Sequence, residues 1–216
     1  MQEKTDKYGN YKLNEFTSIL GSEAPAPGGG GGVALAAAIG ASLARMTASL
    51  TLNKKGYEEV QGEVAELCSA LRAHAETLLE LIDKDEQGFL PLIDAYKMKA
   101  ESEAERGEKR ALIEAKTLEA ARVPVEIMKV TAESIDLCEK VAEVGNKNAL
   151  SDVATAVTVL KGALLGASIN VFVNTASLKS NHEAKVLEHV ADKILIRYPI
   201  KADEIFGRIY KDIRSI

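Results

Sequence analysis

Apolar residues recur at intervals of three and four along most of the chain, the spacing of one face of an α-helix. Runs of alternating Val, Ile and Thr, which would indicate strands, are missing from the sequence. We therefore predict an all-α fold, a single-domain multi-helix bundle with long helices over residues 1–216. The periodicity places these helices at residues 12–21, 33–52, 57–99, 101–121, 125–144 and 151–178, with one from 180 onward and a short one after Pro199.

Prolines and capping residues determine the expected helix ends. Pro91 is expected to kink a long helix, whereas Pro124 and Pro199 are expected to separate helices, because proline lacks an amide hydrogen and clashes with the preceding turn. Ser151 and Asp152 are expected to cap the long apolar helix that follows them.

Two segments, residues 33–52 and 149–178, are apolar enough to suggest membrane spans. Both are rich in Ala, Gly, Ser and Thr, and they carry Arg45 and Lys161. A charge at mid-span costs roughly 2.5–3.5 kcal/mol on insertion scales. We therefore interpret both segments as buried helices of a soluble bundle and predict no membrane association.

In the helix predicted at 33–52, small and large apolar residues lie on different faces. Small residues let helix backbones approach closely, which favours either tight packing within one subunit or a homodimer interface. The small stripe comprises Ala36, Gly40, Ala44 and Ala48, and the large stripe comprises Leu35, Ile39, Leu43, Met46 and Leu50.

Charge and cysteine content narrow the functional classes. With 27 Lys and Arg against 32 Asp and Glu, the net charge is −5, which argues against a nucleic-acid partner. Cys68 and Cys138 form no CxxC pattern or disulfide framework, which fits a reducing cytoplasm. The first twelve residues have no apolar core, so we expect no signal peptide. No spacing typical of metal ligands occurs, so we predict no metal.

Five consecutive glycines follow the sequence Pro25-Ala26-Pro27. Backbone without Cβ atoms, leading into a helix N-terminus, suits an anion or the edge of a flat polar ring. Gly28, Gly29 and Gly30 are therefore candidate binding residues. The alternative is a flexible loop of low complexity.

Asp85 occupies a position where the helical pattern predicts an apolar side chain. Burial there would raise the pKa of its carboxyl group, and such a group suits proton transfer near neutral pH. The alternatives are a structural pair with a buried arginine or a cap at the Pro91 kink. Its neighbours Asp83, Lys84 and Glu86 are expected on the solvated face. The apolar stripe comprises Val60, Val64, Leu67, Leu71, Leu78, Ile82 and Phe89.

Two further polar groups lie in the second half of the chain. Asn146 and Asn148 precede Asp152 in a helix connection, and the amides of Asn170 and Asn174 share one helix face. Asp152 and Asn170 are about 27 Å apart on a straight helix. One site within a single subunit therefore cannot use both.

The order and spacing of these motifs resemble the cyclodeaminase/cyclohydrolase family, the folate-dependent domain at the C-terminal end of formiminotransferase-cyclodeaminase. The resemblance runs from about residue 10 to 180. The motifs that carry it are Pro25-Ala26-Pro27-Gly28-Gly29-Gly30, Asn53-Lys54-Lys55-Gly56-Tyr57, Asp85 to Phe89, Gly145-Asn146-Lys147-Asn148 with Ser151-Asp152, and Asn170-Val171 with Asn174.

This resemblance implies a homodimer that binds reduced folate, possibly polyglutamylated, with no cofactor beyond the tetrahydrofolate substrate. It implies hydrolysis of 5,10-methenyltetrahydrofolate to the 10-formyl form, or closure of 5-formiminotetrahydrofolate to the methenyl form with ammonia release. We favour the hydrolase because no transferase domain is fused. The alternative is a non-catalytic folate-binding or oligomeric scaffold.

The resemblance also suggests roles for individual residues. Asp85 would manage protons and stabilise the methenyl cation, with Asp152 as a second catalytic residue. The glycine turn would meet the pterin edge or a glutamate carboxylate. The remaining substrate-binding candidates are Lys54 and Lys55 for the glutamate tail, Asn170 and Asn174 for the pterin, and Asn146 and Asn148.

Overall fold

The structure, a computed structural model, describes residues 7–215. No strand occurs within this range, which confirms the all-α class. The six α-helices are α1 (Leu13–Leu20), α2 (Gly29–Ser49), α3 (Gln61–Lys97), α4 (Glu103–Val144), α5 (Leu150–Thr175) and α6 (His182–Arg214), and three 3₁₀ turns lie at Tyr8–Asn10, Glu58–Val60 and Lys147–Ala149.

The helix breaks predicted at Pro124 and Pro199 are wrong. Helix α4 continues through Pro124, and helix α6 continues through Pro199. A proline inside a helix costs roughly 3 kcal/mol, but the helical turns around Pro124 are held by core packing, with Ala121 and Val125 buried on either side of it. Pro91 likewise lies within α3, and a kink there stays a prediction.

Side-chain caps start two of the long helices. The Ser102 hydroxyl accepts from the Glu105 amide while the Glu105 carboxylate accepts from the Ser102 amide, a capping box for α4. The Asn181 side chain caps α6 by accepting from two backbone amides.

The cap predicted at Ser151 and Asp152 is wrong, because α5 begins at Leu150 with Ala149 as its N-cap. The Asn146 side chain instead accepts from the Asn148 amide and starts the 3₁₀ turn that leads directly into α5.

Helix α2 begins four residues earlier than predicted, since its first turn consists of glycines. Gly28 is the N-cap and Gly29 is the first helical residue. Glycine in a helix costs roughly 0.5–1 kcal/mol relative to alanine. Contacts with the rest of the fold compensate here: a Cβ added to Gly31 would lie only 3.1 Å from Pro27 and 3.2 Å from Ile82 of α3.

The small stripe of α2 packs within the chain, against the antiparallel helix α5. A Cβ on Gly40 would lie 2.7 Å from the Leu160 side chain, and one on Gly166 would lie 2.6 Å from Val33. Three of the large residues point outward instead: Ile39, Met46 and Leu50 are 47%, 42% and 50% exposed, whereas Leu35 and Leu43 pack against the core. The small residues of α2 therefore face α5, and its exposed large residues form an apolar ridge on the surface.

By length and composition alone, the helical stretches Gly29–Ser49 and Lys147–Thr175 are apolar enough to cross a membrane. About half of each apolar window, 50% and 44%, is buried inside the chain's own packing. Core helices of soluble proteins share this composition, and the absence of a membrane stays a prediction.

Candidate functional site

A cleft of about 140 Å³ opens where the N-terminus of α2 meets the C-terminal part of α5. Helices α3 and α4 supply its other walls. The cleft is lined by Ala26, Gly28, Gly29, Gly30, Asp85, Glu86, Phe89, Ala120, Asn170, Val173 and Asn174.

The Asp85 carboxylate lies directly against the first turn of α2. A Cβ on Gly30 would come within 2.5 Å of the Asp85 Cγ, so only glycine leaves room for the carboxylate there. The Gly31 backbone N–H donates a hydrogen bond to Asp85. Since Gly28 has no side chain to cap α2, the carboxylate from α3 takes the place of an N-cap side chain.

Two opposing effects determine the acidity of Asp85. Burial, the larger effect, raises the pKa of its carboxyl group to about 6, and the Gly31 hydrogen bond works in the opposite direction. A carboxyl group with this pKa can both accept and return a proton near neutral pH. The sequence-based prediction of an inward acid on the apolar face of α3 agrees with this geometry.

The prediction that Asp83 and Glu86 are solvated is wrong. Asp83 is buried, and its Oδ1 accepts from the Tyr8 amide at 3.0 Å. The Glu86 Oε1 accepts from the Tyr8 hydroxyl at 2.9 Å, and Glu86 lines the cleft. Sequence analysis missed Glu86 because helical periodicity does not reveal that the Tyr8–Asn10 turn covers this part of α3.

The aromatic residues of the N-terminal segment are the sequence feature that could have predicted its packing against α3. Tyr8 contacts Tyr11 and Phe16 edge-on, with ring centroids 5.3 and 5.8 Å away. Such a cluster predicts that the segment folds onto the bundle rather than extending into solvent.

Asn170 and Asn174 line the cleft from α5, as predicted for a shared face. The Asn170 Nδ2 donates to the Gly166 carbonyl at 2.9 Å. Its Oδ1 is turned toward Gly29, where an added Cβ would lie 3.5 Å away. Oxygen acceptors therefore line the cleft from both α3 and α5.

The remaining sequence candidates lie at the opposite end of the α2–α5 pair. Eighteen residues of helix, about 27 Å, separate Asp152 from Asn170. The structure brings together Gly28, Gly29, Gly30, Asp85, Asn170 and Asn174 in one chain. It does not bring Lys54, Lys55, Asn146, Asn148 or Asp152 to that cleft.

Some of these distant residues take part in local structure. The Asn146 amide donates to the Thr51 hydroxyl at 2.8 Å, and the Lys147 amide donates to the Tyr57 hydroxyl at 3.1 Å. These bonds tie the α4–α5 connection to the loop after α2. No group of three or more His, Cys, Asp or Glu placed to hold a metal ion occurs within residues 7–215.

The chain matches known proteins along most of its length. A family model described as formiminotransferase-cyclodeaminase matches residues 12–193. The methenyltetrahydrofolate cyclohydrolase of Methylorubrum extorquens is 33% identical over 207 residues, covering 96% of this chain and 98% of that protein. A crystal structure of formiminotetrahydrofolate cyclodeaminase from Thermotoga maritima superposes with a TM-score of 0.81 at 27% identity, covering 95% of this chain and 97% of the other.

A longer relative matches over only part of its length. The formimidoyltransferase-cyclodeaminase of Rattus norvegicus is 24% identical over 197 residues, 91% of this chain. The match covers 36% of that protein, so the chain corresponds to about a third of it.

Proposed function

The chain belongs to the formiminotransferase-cyclodeaminase family, and from this premise we propose that it is a folate one-carbon enzyme. Its main reaction is hydrolysis of 5,10-methenyltetrahydrofolate to 10-formyltetrahydrofolate. The end-to-end match with a protein named methenyltetrahydrofolate cyclohydrolase supports this choice. The second candidate reaction, cyclisation of 5-formiminotetrahydrofolate with ammonia release, is supported by the similarly complete match with a cyclodeaminase.

The observation that carries the proposal is the Asp85 carboxylate, half-buried against the bare first turn of α2. In the hydrolysis, Asp85 takes one proton from a water molecule as its oxygen bonds to the methenyl carbon. The carbon–N5 bond of the neutral adduct then breaks, and Asp85 returns the proton to N5. The second proton of the water leaves to solvent, so the cationic substrate yields neutral 10-formyltetrahydrofolate.

In the cyclisation, the same carboxyl group works as an acid. N10 bonds to the formimino carbon and its own proton passes to the former imino nitrogen. A further proton from Asp85 then lets the bond between the carbon and that nitrogen break, so that ammonia leaves. Loss of ammonia leaves the methenyl cation beside a carboxylate, which stabilises its charge. A pKa of about 6 suits both directions of proton transfer.

The near-ultraviolet absorbance of methenyltetrahydrofolate tests the hydrolase. Purified protein is expected to speed its decay well above the rate in buffer alone, and a separate assay for ammonia tests the formimino substrate. Folate binding without either reaction would leave the non-catalytic scaffold as the answer.

A homodimer is the assembly that supports this activity best. Contiguous apolar patches on a protein surface often mark sites of association in water. We define the apolar face as the exposed large residues on three adjacent helices: Ile39, Met46 and Leu50 of α2, Leu165, Ile169 and Val173 of α5, and Phe206, Tyr210 and Ile213 of α6.

A two-fold axis near Gly162 would make this face self-complementary. The exposed positions of α5 run from Ser151 to Val173, and Gly162 is their midpoint, open to the surface. Paired antiparallel, the two copies of α5 bring the first turn of each beside the last turns of the other. The basic loop with Lys54 and Lys55 then approaches the acidic cleft of the second copy.

The size of the cleft supports this arrangement. At about 140 Å³ it is smaller than pockets that enclose drug-sized ligands, which span roughly 300–1,000 Å³. The glutamate end of a folate therefore extends beyond the cleft of one chain. Reduced folate and a second copy are the only partners that the proposal requires.

Two free cysteines, Cys68 and Cys138, fit a cytoplasmic location.

A further inference from the structure

A second carboxylate, Glu86, lines the cleft one residue after Asp85 on α3. Its Oε1 accepts a hydrogen bond from the Tyr8 hydroxyl at 2.9 Å. Holding one oxygen restricts rotation of the carboxylate, so Glu86 keeps a defined direction at the cleft wall. A long side chain without such a bond would lose more entropy when a ligand binds.

Tyr8 is itself held on three sides. Its ring is 5% exposed and lies edge-on against Tyr11 and Phe16. Its amide donates to the buried Asp83 at 3.0 Å. Burial, followed by the hydrogen bond to Glu86, raises the pKa of the Tyr8 hydroxyl well above its usual value. The phenol therefore stays protonated and donates, and Glu86 stays an acceptor.

The polar lining of the cleft is rich in acceptors. Asp85 and Glu86 are carboxylates, and Asn170 turns its Oδ1 toward Gly29. Among the described residues that line the cleft, none is lysine or arginine. Such a surface selects a ligand edge made of N–H donors or a delocalised cation, and disfavours phosphate or carboxylate.

We infer that Glu86 binds the amino and ring N–H edge of the pterin, and that Tyr8 is the residue that positions it. This inference rests on the proposed function, because that function supplies a reduced folate as the ligand. Asp85, against the α2 N-terminus, is then left for proton transfer. Substitution of Glu86 should therefore change mainly KM, and substitution of Asp85 should change mainly kcat.

Three single variants test the inference. Glu86→Gln removes the charge at constant size, Tyr8→Phe removes only the hydroxyl, and Tyr11→Phe is the matched control on the adjacent ring. With methenyltetrahydrofolate, we expect Glu86→Gln to raise KM about tenfold or more with kcat within about threefold. Tyr8→Phe is expected to raise KM about three- to fivefold, and Tyr11→Phe to leave both constants unchanged.

A double variant separates positioning from a general loss of stability. If Tyr8 acts through Glu86, Tyr8→Phe combined with Glu86→Gln should raise KM no further than Glu86→Gln alone. Additive increases would contradict the positioning role. Melting temperatures, measured alongside, are expected to show every variant folded at the assay temperature. An unchanged KM in folded Glu86→Gln would overturn the role of Glu86.

Calorimetry of tetrahydrofolate binding tests the role of Glu86 independently of the proposed reaction. If the wild type binds tetrahydrofolate without turnover, the proposed hydrolysis fails, yet about tenfold weaker binding by Glu86→Gln would still support the inference. Equal binding by wild type and Glu86→Gln would overturn the inference alone. No binding by the wild type would overturn both.

Discussion

At the scale of single residues, Asp85 combines two features that rarely coincide. It is a carboxyl group largely withdrawn from water, and it receives a hydrogen bond from the first turn of a helix. The first feature favours its protonated form and the second favours its charged form, so the group titrates near pH 6 rather than at either extreme. Proton transfer in both directions depends on that balance.

The first prediction concerns Asp85→Asn, which keeps the size of the side chain and an acceptor for the Gly31 amide. We expect turnover of methenyltetrahydrofolate to fall by about 10²–10⁴, since the amide cannot exchange the proton. Initial rates above the buffer blank provide the measurement. Asp94→Asn, on the exposed face of the same helix, is the control and should retain full activity. An Asp85→Asn protein with more than half of the wild-type rate would contradict the assignment.

The second prediction concerns stability against pH. Because the folded-state pKa of Asp85 is about 6 and the unfolded value is about 3.9, the folded protein binds more protons between these values. The contribution of Asp85 to stability therefore falls as pH rises from 4 to 6, by about 2–3 kcal/mol in total. Asp85→Asn removes this loss.

Urea denaturation of both proteins at pH 4, 5, 6 and 7 gives the comparison. The stability of Asp85→Asn minus that of the wild type is expected to grow with pH and to level off above pH 6 to 7. A difference that stays constant across this range would show that the carboxyl group titrates as it does in water.

At the scale of elements, the cleft exists because α2 starts with glycines. A Cβ on Gly30 would fill the space that the Asp85 carboxylate of α3 occupies. The glycines lower the local stability of α2, but they allow α2 and α3 to approach each other closely. The same exchange at Gly40, against Leu160, lets α5 pack close enough to form the opposite wall.

The third prediction tests this close approach through Gly30→Ala. The new methyl group must displace the Asp85 carboxylate, so we expect turnover to fall by at least tenfold and the protein to lose about 1–3 kcal/mol of stability. Gly107→Ala is the matched control, because nothing lies within 4 Å of its added Cβ within α4. That variant should gain up to about 1 kcal/mol from helix propensity. Urea denaturation and initial rates distinguish the two variants.

At the scale of the whole molecule, one side carries the apolar face, with the cleft at one end. The cleft carries Asp85 and Glu86, and the far end carries Lys54 and Lys55 next to Glu58 and Glu59. A pairing that turns one copy end for end buries the apolar residues and brings opposite charges together. Such a pairing, if it forms as proposed, would bring functional candidates about 27 Å apart on α5 into one site.

The fourth prediction is that Ile169→Glu separates the subunits. At 23.2 kDa per chain, sedimentation should change from a dimer mass of about 46 kDa to a monomer, because the carboxylate would be buried in the interface. Ile196→Glu is the control: Ile196 is 72% exposed but lies beside Glu139 of α4, away from the apolar face. A monomeric wild type would contradict the proposed assembly.

The fifth prediction uses mixed dimers. Asp85→Asn and the double variant Lys54→Ala/Lys55→Ala should each be impaired alone. If the lysines serve the cleft of the other subunit, a heterodimer regains one intact site. An equal mixture of the two proteins should then recover about a quarter of the wild-type rate. Absence of recovery despite exchange of subunits would place the lysines outside the site.

The helical class and the inward position of Asp85 were both readable from the pattern of residues. Each depends on spacing within a few residues, where a helical period of 3.6 decides the outcome. The small stripe of α2 was likewise readable, although periodicity could not say whether it packed within or between chains.

Other features depend on packing between segments that are far apart in the sequence. Helix α2 begins at Gly29, α4 continues through Pro124, and Glu86 turns toward Tyr8 because distant segments supply the packing and the hydrogen bonds. At these positions, contacts with residues up to 78 positions away in the sequence outweigh the local helix propensity. The same long-range packing gathered six of the eleven candidate residues into one cleft and left five at the far end of α2 and α5.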